Sequence, residues 1–381
     1  MIKRFAISLA LGLAVTTASA QDLGMNQTAV TKLIRAAEKN VVDPQGWAID
    51  LLDVLRLHNL PRSKENVCSA IAIIDQESGF VADPPVQGLG VISEKALRDK
   101  FNAIPIAGRI AINFLETTPE PGNSYMQRIR AARTERDLDM TYRAMVEDAG
   151  KKSNLDMIVN SGLFNTLIEG RNDIDTIGSM QVSVNFALDV AKRRRWLPMT
   201  LSDNYAVRDE LYTRRGGMYY GVLLLLGYDT GYARKLYRFA DFNAGRYASR
   251  NTAIQKQIAF LSGEKLALDG DLLLYTKNGT ARSDASSSEK AIRKIAKSFG
   301  GNLANKDIHA DLLREKTQSL VTTRTYLAIR DAYTKKSKAT AAFAEVPNID
   351  LSSPKITRKM TTRIFAESVD KRYQFCMGSK P

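Results

Sequence analysis

Ser63-Lys-Glu-Asn-Val-Cys-Ser-Ala-Ile-Ala-Ile-Ile-Asp-Gln-Glu77-Ser78-Gly79-Phe80 is the stretch on which the reading of this chain turns. Ser63 suits a helix N-cap, with Lys64, Glu65 and Asn66 in the first turn. Val67, Ala70, Ile71 and Ile74 follow at helical spacing and define one apolar face. Glu77 falls three residues after Ile74 and continues that face, where a carboxylate is rarely buried without a partner. Desolvation and the negative end of the helix dipole both disfavour its charged form. Such a carboxyl suits a general acid working near neutral pH. The alternative is a helix-end Glu turned to solvent.

Outward from this helix the periodicity stays helical, and few alternating strand patterns occur. The spacing predicts helices over 28–39, 45–58, 63–77, 93–115, 125–148, 156–169, 182–195, 208–227, 232–243, 249–261, 289–299, 317–334 and 357–368. The fold class is therefore all-α. The Ser-, Asn- and Gly-rich segment 276–288 reads as a linker or exposed loop. It separates a main helical domain over 21–275 from a C-terminal helical extension over 289–381. The apolar run Leu223–Leu226 is too short to span a bilayer and no transmembrane segment is expected.

Residues 1–20 read as a cleaved signal peptide: Lys3 and Arg4, an apolar run from Phe5 to Val15, then Ala18-Ser19-Ala20 with cleavage after Ala20. Export places the mature chain in the periplasm or at the envelope. The chain has 381 residues and a net charge of +14, and loss of Lys3 and Arg4 leaves +12. A basic surface of that size favours an anionic partner. Export disfavours nucleic acid and points to envelope polymers. The run Lys192–Arg195 reads as a solvated helix end, with contact to envelope anions as its alternative. Cys68 and Cys376 are the only cysteines. In an oxidising compartment they invite a disulfide, with two buried thiols as the other possibility. His58 and His309 have no His or Cys at ligand spacing, so no metal or cofactor is expected.

Glu77-Ser78-Gly79-Phe80 resembles the Glu-Ser-x-Phe motif of family 1 lytic transglycosylases, which share the goose-type lysozyme fold. Gly178-Ser179-Met180-Gln181 is similar to that family's Gly-Leu-Met-Gln motif, and Asp241-Phe242-Asn243-Ala244-Gly245 to its Ala-Tyr-Asn-Ala-Gly motif. The three occur in family order, each placing a polar side chain (Glu77, Gln181, Asn243) at one end of an apolar helical face. The resemblance implies a lysozyme-like domain cleaving peptidoglycan glycan strands, with Glu77 as catalytic acid. It implies glycan contacts from Ser78, Met180, Gln181, Asn243, Gly245 and Tyr247. Asp173 and Asp175 would supply a second carboxylate if the outcome were hydrolytic.

The chain departs from the family pattern in two ways. About a hundred residues separate Glu77 from Gln181, which implies a helical insertion over about 81–172. Phe242 replaces a Tyr, removing a hydroxyl that Tyr247 or Tyr237 would have to supply. Longer segments (75–90, 161–181 and 214–255) also resemble uncharacterised bacterial envelope proteins, some lipid-anchored, that share a domain of unknown function. A non-catalytic murein-binding protein that keeps the fold is the competing expectation.

Overall fold

The computed structural model describes residues 24–120, 122–151, 176–276, 279–299, 303–351 and 360–381, and its first core is built around α3 (Lys64–Ser78). The Ser63 hydroxyl accepts from the Asn66 amide at 3.2 Å and starts the helix. Val67 to Ile74 are buried without interruption, so α3 is covered on every side and not on one face alone. Its neighbours are α1 (Gln27–Ala37), α2 (Pro44–Leu57), α10 (Arg214–Leu226) and α16 (Thr362–Gly378). Cys68 of α3 and Cys376 of α16 form a disulfide with 5.6 Å between their Cα atoms.

Three of the long helices expected from periodicity are each broken in two, and polar caps or proline explain every break. Helices α4 (Leu89–Asn102) and α5 (Ala107–Thr117) part around Pro105, which disfavours helical backbone in the residue before it. Helix α6 (Tyr125–Ala131) ends before α7 (Glu135–Lys151), where the Asp137 carboxylate accepts from the amides of Arg133 (2.9 Å) and Thr134 (3.0 Å). The Thr134 hydroxyl in turn accepts from the Asp137 amide, a reciprocal cap. Helix α9 (Leu201–Leu211) stops before Thr213, whose hydroxyl caps α10 through the Gly216 amide at 3.0 Å. The helix expected from 182 begins later, as α8 (Val184–Arg193). Ahead of it lies a small antiparallel hairpin of β1 (Thr176–Ile177) and β2 (Val182–Ser183).

After α11 (Lys235–Ala244) the chain builds a second, smaller apolar cluster from α12 (Ala248–Ser262), α13 (Ser287–Ile295), α14 (Asn305–Leu312) and α15 (Arg324–Ser337). Ile254, Ile258, Leu272, Ile292, Ile308 and Ile329 lie in it, on both sides of 276–288. A second hairpin, β3 (Asp350–Leu351) with β4 (Met360–Thr361), then returns the chain to the first core. There α16 packs Phe365, Val369 and Tyr373 beside α3 and α11. The described residues are thus predominantly helical, and no helix among them is long and apolar enough to cross a membrane. The expected signal segment, the helix over 156–169, Asp173 and Asp175 lie outside the described residues.

Candidate functional site

Glu77 sits in the last turn of α3, partly buried. Gly79 ends the helix at φ 56° and Phe80 follows at φ 65°. Two successive left-handed residues turn the chain sharply away, and glycine at the first of them avoids a Cβ penalty. Phe80 anchors the turn by meeting Trp47 of α2 edge-on, with ring centroids 5.3 Å apart. The carboxylate is left desolvated at this turn. Burial first, and then the negative charge of Glu135, push its pKa up to about 8. At neutral pH the group is mainly a protonated acid.

Glu135 was not among the residues singled out by sequence. It is the first residue of α7 and only 2 % exposed. The link to Glu77 is made by the strap that follows Phe80: the Val86 amide donates to the Arg133 carbonyl at 2.9 Å, and Pro85 pairs with Thr134. Asp83 on the same strap has its pKa raised by burial, with Asp137 adding to the shift and a hydrogen bond from Thr134 opposing it. Nearby, Tyr212 is 3 % exposed and its hydroxyl has no hydrogen-bond partner among the described residues. Burial, then the charge of Asp139, pushes that hydroxyl's pKa up, with Glu135 and Asp83 contributing. Behind it, Arg208 meets Asp139 at 2.8 Å, and Arg143 bridges Asp139 to Asp209. This buried ionic cluster pins α7 to α9. The described part of the 81–172 segment therefore brings one carboxylate, that of Glu135, up to Glu77.

The second motif is placed differently from expectation. Gly178 to Gln181 form the turn of the β1–β2 hairpin and not the first turn of a helix. The Gln181 amide closes on its own turn: Oε1 accepts from the Thr176 hydroxyl (3.1 Å) and Nε2 donates to the Gly178 carbonyl (3.2 Å). Met180 is fully buried against Gly221, where an added Cβ would meet its sulfur at 2.3 Å. Met180 therefore wedges the hairpin onto α10 and lines no open groove. The cap of α8 is Ser183, whose hydroxyl accepts from the Phe186 amide.

In the third motif, Asn243 is exposed, and its Oδ1 accepts from the Thr362 hydroxyl at 3.1 Å. Ser368, further along α16, donates to Gln76 at 2.7 Å. One end of α16 thus lies beside both the Glu77 turn and the Asn243 turn. Ser78 donates back to the Ile74 carbonyl. Tyr247 is buried and donates to the Asp229 carbonyl at 2.7 Å. Gly245 takes φ 101° to let the chain turn into α12. Phe242 is buried, and Tyr237 meets Tyr232 at a tilt, with ring centroids 5.7 Å apart. The hydroxyl that shares a charged neighbour with Glu77 belongs instead to Tyr212.

The residue of this motif with most hydrogen bonds is Asp241. It is fully buried and accepts from the Tyr232 hydroxyl (2.7 Å), the Tyr228 hydroxyl (3.3 Å) and the amides of Tyr247 (2.9 Å) and Ser249 (2.7 Å). Burial lifts its pKa to about 6, against these hydrogen bonds. Asp241 knots α11 to α12. Four hydrogen bonds accepted from both sides of the corner mark a structural hub that a motif match alone does not reveal.

Among the described residues no group of three or more His, Cys, Asp or Glu side chains is arranged to hold a metal ion. The chain matches the family described as "Protein of unknown function (DUF1615)" over residues 40–379. It is 35 % identical over 338 residues to the uncharacterized protein YaiW of Escherichia coli (strain K12), covering 89 % of this chain and 86 % of that protein. No solved structure matches the chain. The match takes in the second apolar cluster, the first cluster apart from its α1 residues, and every motif residue placed above, and the chain belongs to the DUF1615 family.

Proposed function

We propose that this chain is an exported, lysozyme-like protein that cleaves the MurNAc–GlcNAc bond of peptidoglycan as a lytic transglycosylase, with Glu77 as its acid. The observation that carries the reading is a carboxyl kept protonated near neutral pH at the end of a buried helix, at the head of the Glu-Ser-x-Phe motif. In this reading Glu77 protonates the departing glycosidic oxygen. The N-acetyl group of the muramoyl sugar stabilises the oxocarbenium-like centre. Glu77, now a base, takes the proton from the sugar's 6-hydroxyl, and the 1,6-anhydro ring closes without consuming water. Glu135 acts through Glu77 by keeping its proton on, and Asn243 and Ser78 border the same helix ends.

The test is digestion of purified sacculi by the mature protein and by Glu77→Gln, with soluble products identified by mass spectrometry. Anhydromuropeptides released by the parent and not by the variant support the proposal. Reducing-end products would replace it with hydrolysis and make Glu135 the next residue to mutate, since hydrolysis calls for a second carboxylate. The second reading, murein binding without cleavage, draws on the internal use of Gln181, Met180 and Tyr247. Pelleting with sacculi while releasing nothing would establish it in place of the first.

A further inference from the structure

The connection between α8 and α9 carries Lys192-Arg193-Arg194-Arg195-Trp196-Leu197-Pro198-Met199. Trp196 is fully exposed (102 %), Leu197 is 73 % exposed, and Leu201 at the start of α9 is 53 % exposed. Three large apolar side chains within six residues, all in water, call for a partner.

The turn that presents them is braced at both ends. The Arg194 guanidinium lies 4.9 Å from the centroid of Tyr219, and Arg195 pairs with Asp203 at 2.8 Å. The Thr200 hydroxyl caps α9 through the Asp203 amide, while Asp203 accepts back from the Thr200 amide at 2.8 Å. Met199 packs against the first core. Trp196 and Leu197 therefore project from a fixed loop. Lys192 and Arg193, beside them, form no ion pair with a described residue and are exposed. Two cations remain available next to the apolar tip.

We propose that this braced Lys192–Leu201 turn docks on an anionic lipid bilayer, with Trp196 and Leu197 at the acyl boundary and Lys192 and Arg193 on the headgroup phosphates. The combination decides among partners. A phosphate- or carboxylate-rich polymer would be served by cations alone and would leave the indole and leucines wet. A bilayer surface offers negative charge and an apolar layer a few ångströms beneath it. Trp favours that interface because its ring is apolar and its N–H is polar, and basic residues next to it add attraction to anionic headgroups. Two weak signals of this kind give reversible peripheral attachment without a spanning helix.

The chain's own fluorescence reads this out. Its two tryptophans are Trp47, buried in the first core, and Trp196. A water-soluble quencher such as acrylamide therefore reports mainly on Trp196. With vesicles of phosphatidylglycerol and phosphatidylcholine, Trp196 emission is expected to shift to the blue and its quenching to fall, roughly threefold. Pure phosphatidylcholine should have a much smaller effect. Trp196→Ala is expected to weaken sedimentation with the anionic vesicles about tenfold or more. Lys192→Glu with Arg193→Glu should abolish it at moderate salt, where screening has already trimmed the charge term. Glu77→Gln should bind vesicles like the parent, which keeps this test separate from that of activity. Unchanged Trp196 quenching with anionic vesicles at low salt, or full binding by folded Trp196→Ala, would overturn the proposal. So would protection of Trp196 by purified sacculi, or by a second copy of the chain in sedimentation, in the absence of any vesicle effect.

Discussion

Glu77 has a folded pKa near 8, against an ordinary value of 4.5. Between those values the folded chain keeps a proton that the unfolded chain has lost, so this group's contribution to stability falls as pH rises. It is fully present below about pH 4.5 and gone above about pH 8. Glu77→Gln removes the dependence. The variant should gain on the parent, on the order of 2–4 kcal/mol between pH 5 and pH 9, in denaturant unfolding followed by circular dichroism. Parallel curves for the two proteins would show that the carboxyl titrates normally. Glu135→Gln removes the neighbouring charge but not the burial. The alkaline limb of any Glu77-dependent activity should then move to lower pH by about one unit or less, since burial is the larger cause. The position of Glu77 was legible from local spacing alone: an apolar stripe, a cap at Ser63, and a Gly where the helix stops. Glu135 was not legible, because its approach depends on a strap 50 residues upstream pairing with the break before α7, a contact no periodicity encodes.

Among the elements, the α11–α12 corner sets a fully buried Asp241 beside an exposed Asn243 within one motif. Asp241 holds two hydroxyls and two amides in a fully buried site. Asp241→Ala leaves the amides of Tyr247 and Ser249 unpaired and should cost on the order of 3 kcal/mol, read as a loss of several degrees in Tm. Asn243 makes one exposed hydrogen bond to Thr362, and Asn243→Ala should cost less than about 1 kcal/mol. If activity is found, Asn243→Ala should lower it at unchanged Tm. A large loss of stability in that variant would assign Asn243 to the corner. The same contrast explains what periodicity conveyed about the elements. Apolar spacing marks most of the described helices but misses α14 and the first two turns of α9, and it runs three pairs of helices together across caps at Thr134 and Thr213 and around Pro105. Hydrophobic pattern runs through a short break when both helices bury the same side, so caps and proline carry the boundary and the stripe does not. The β1–β2 hairpin was missed because two-residue strands have no period to detect.

Across the whole molecule, the Cys68–Cys376 bond joins residues 308 apart and returns the last helix to the first core. Closing a loop of that length sets an entropic ceiling of roughly 6 kcal/mol on its stabilisation. The measured loss on Cys376→Ser should fall below that ceiling, because α16 is held to α3 by other contacts that restrain it without the bond. Arg372 meets Asp75 at 2.8 Å, Ser368 meets Gln76, and Lys64 donates to the carbonyls of Met377 (2.8 Å) and Ser379 (2.7 Å). Phe365, Val369 and Tyr373 of α16 are buried in the first core as well. Hydrogen exchange followed by mass spectrometry should therefore show faster exchange in α16 and α3 of Cys376→Ser. The α13–α15 segments, which pack in the second apolar cluster, should exchange as in the parent. The asymmetry matters for the site: α16 carries Thr362 and Ser368, which touch Asn243 and Gln76, so a loosened α16 reaches the Glu77 end of α3 directly. Equal acceleration in both clusters would mean that the chain unfolds as one unit from either core. No change in α16 would mean that its non-covalent contacts alone hold the last helix in place.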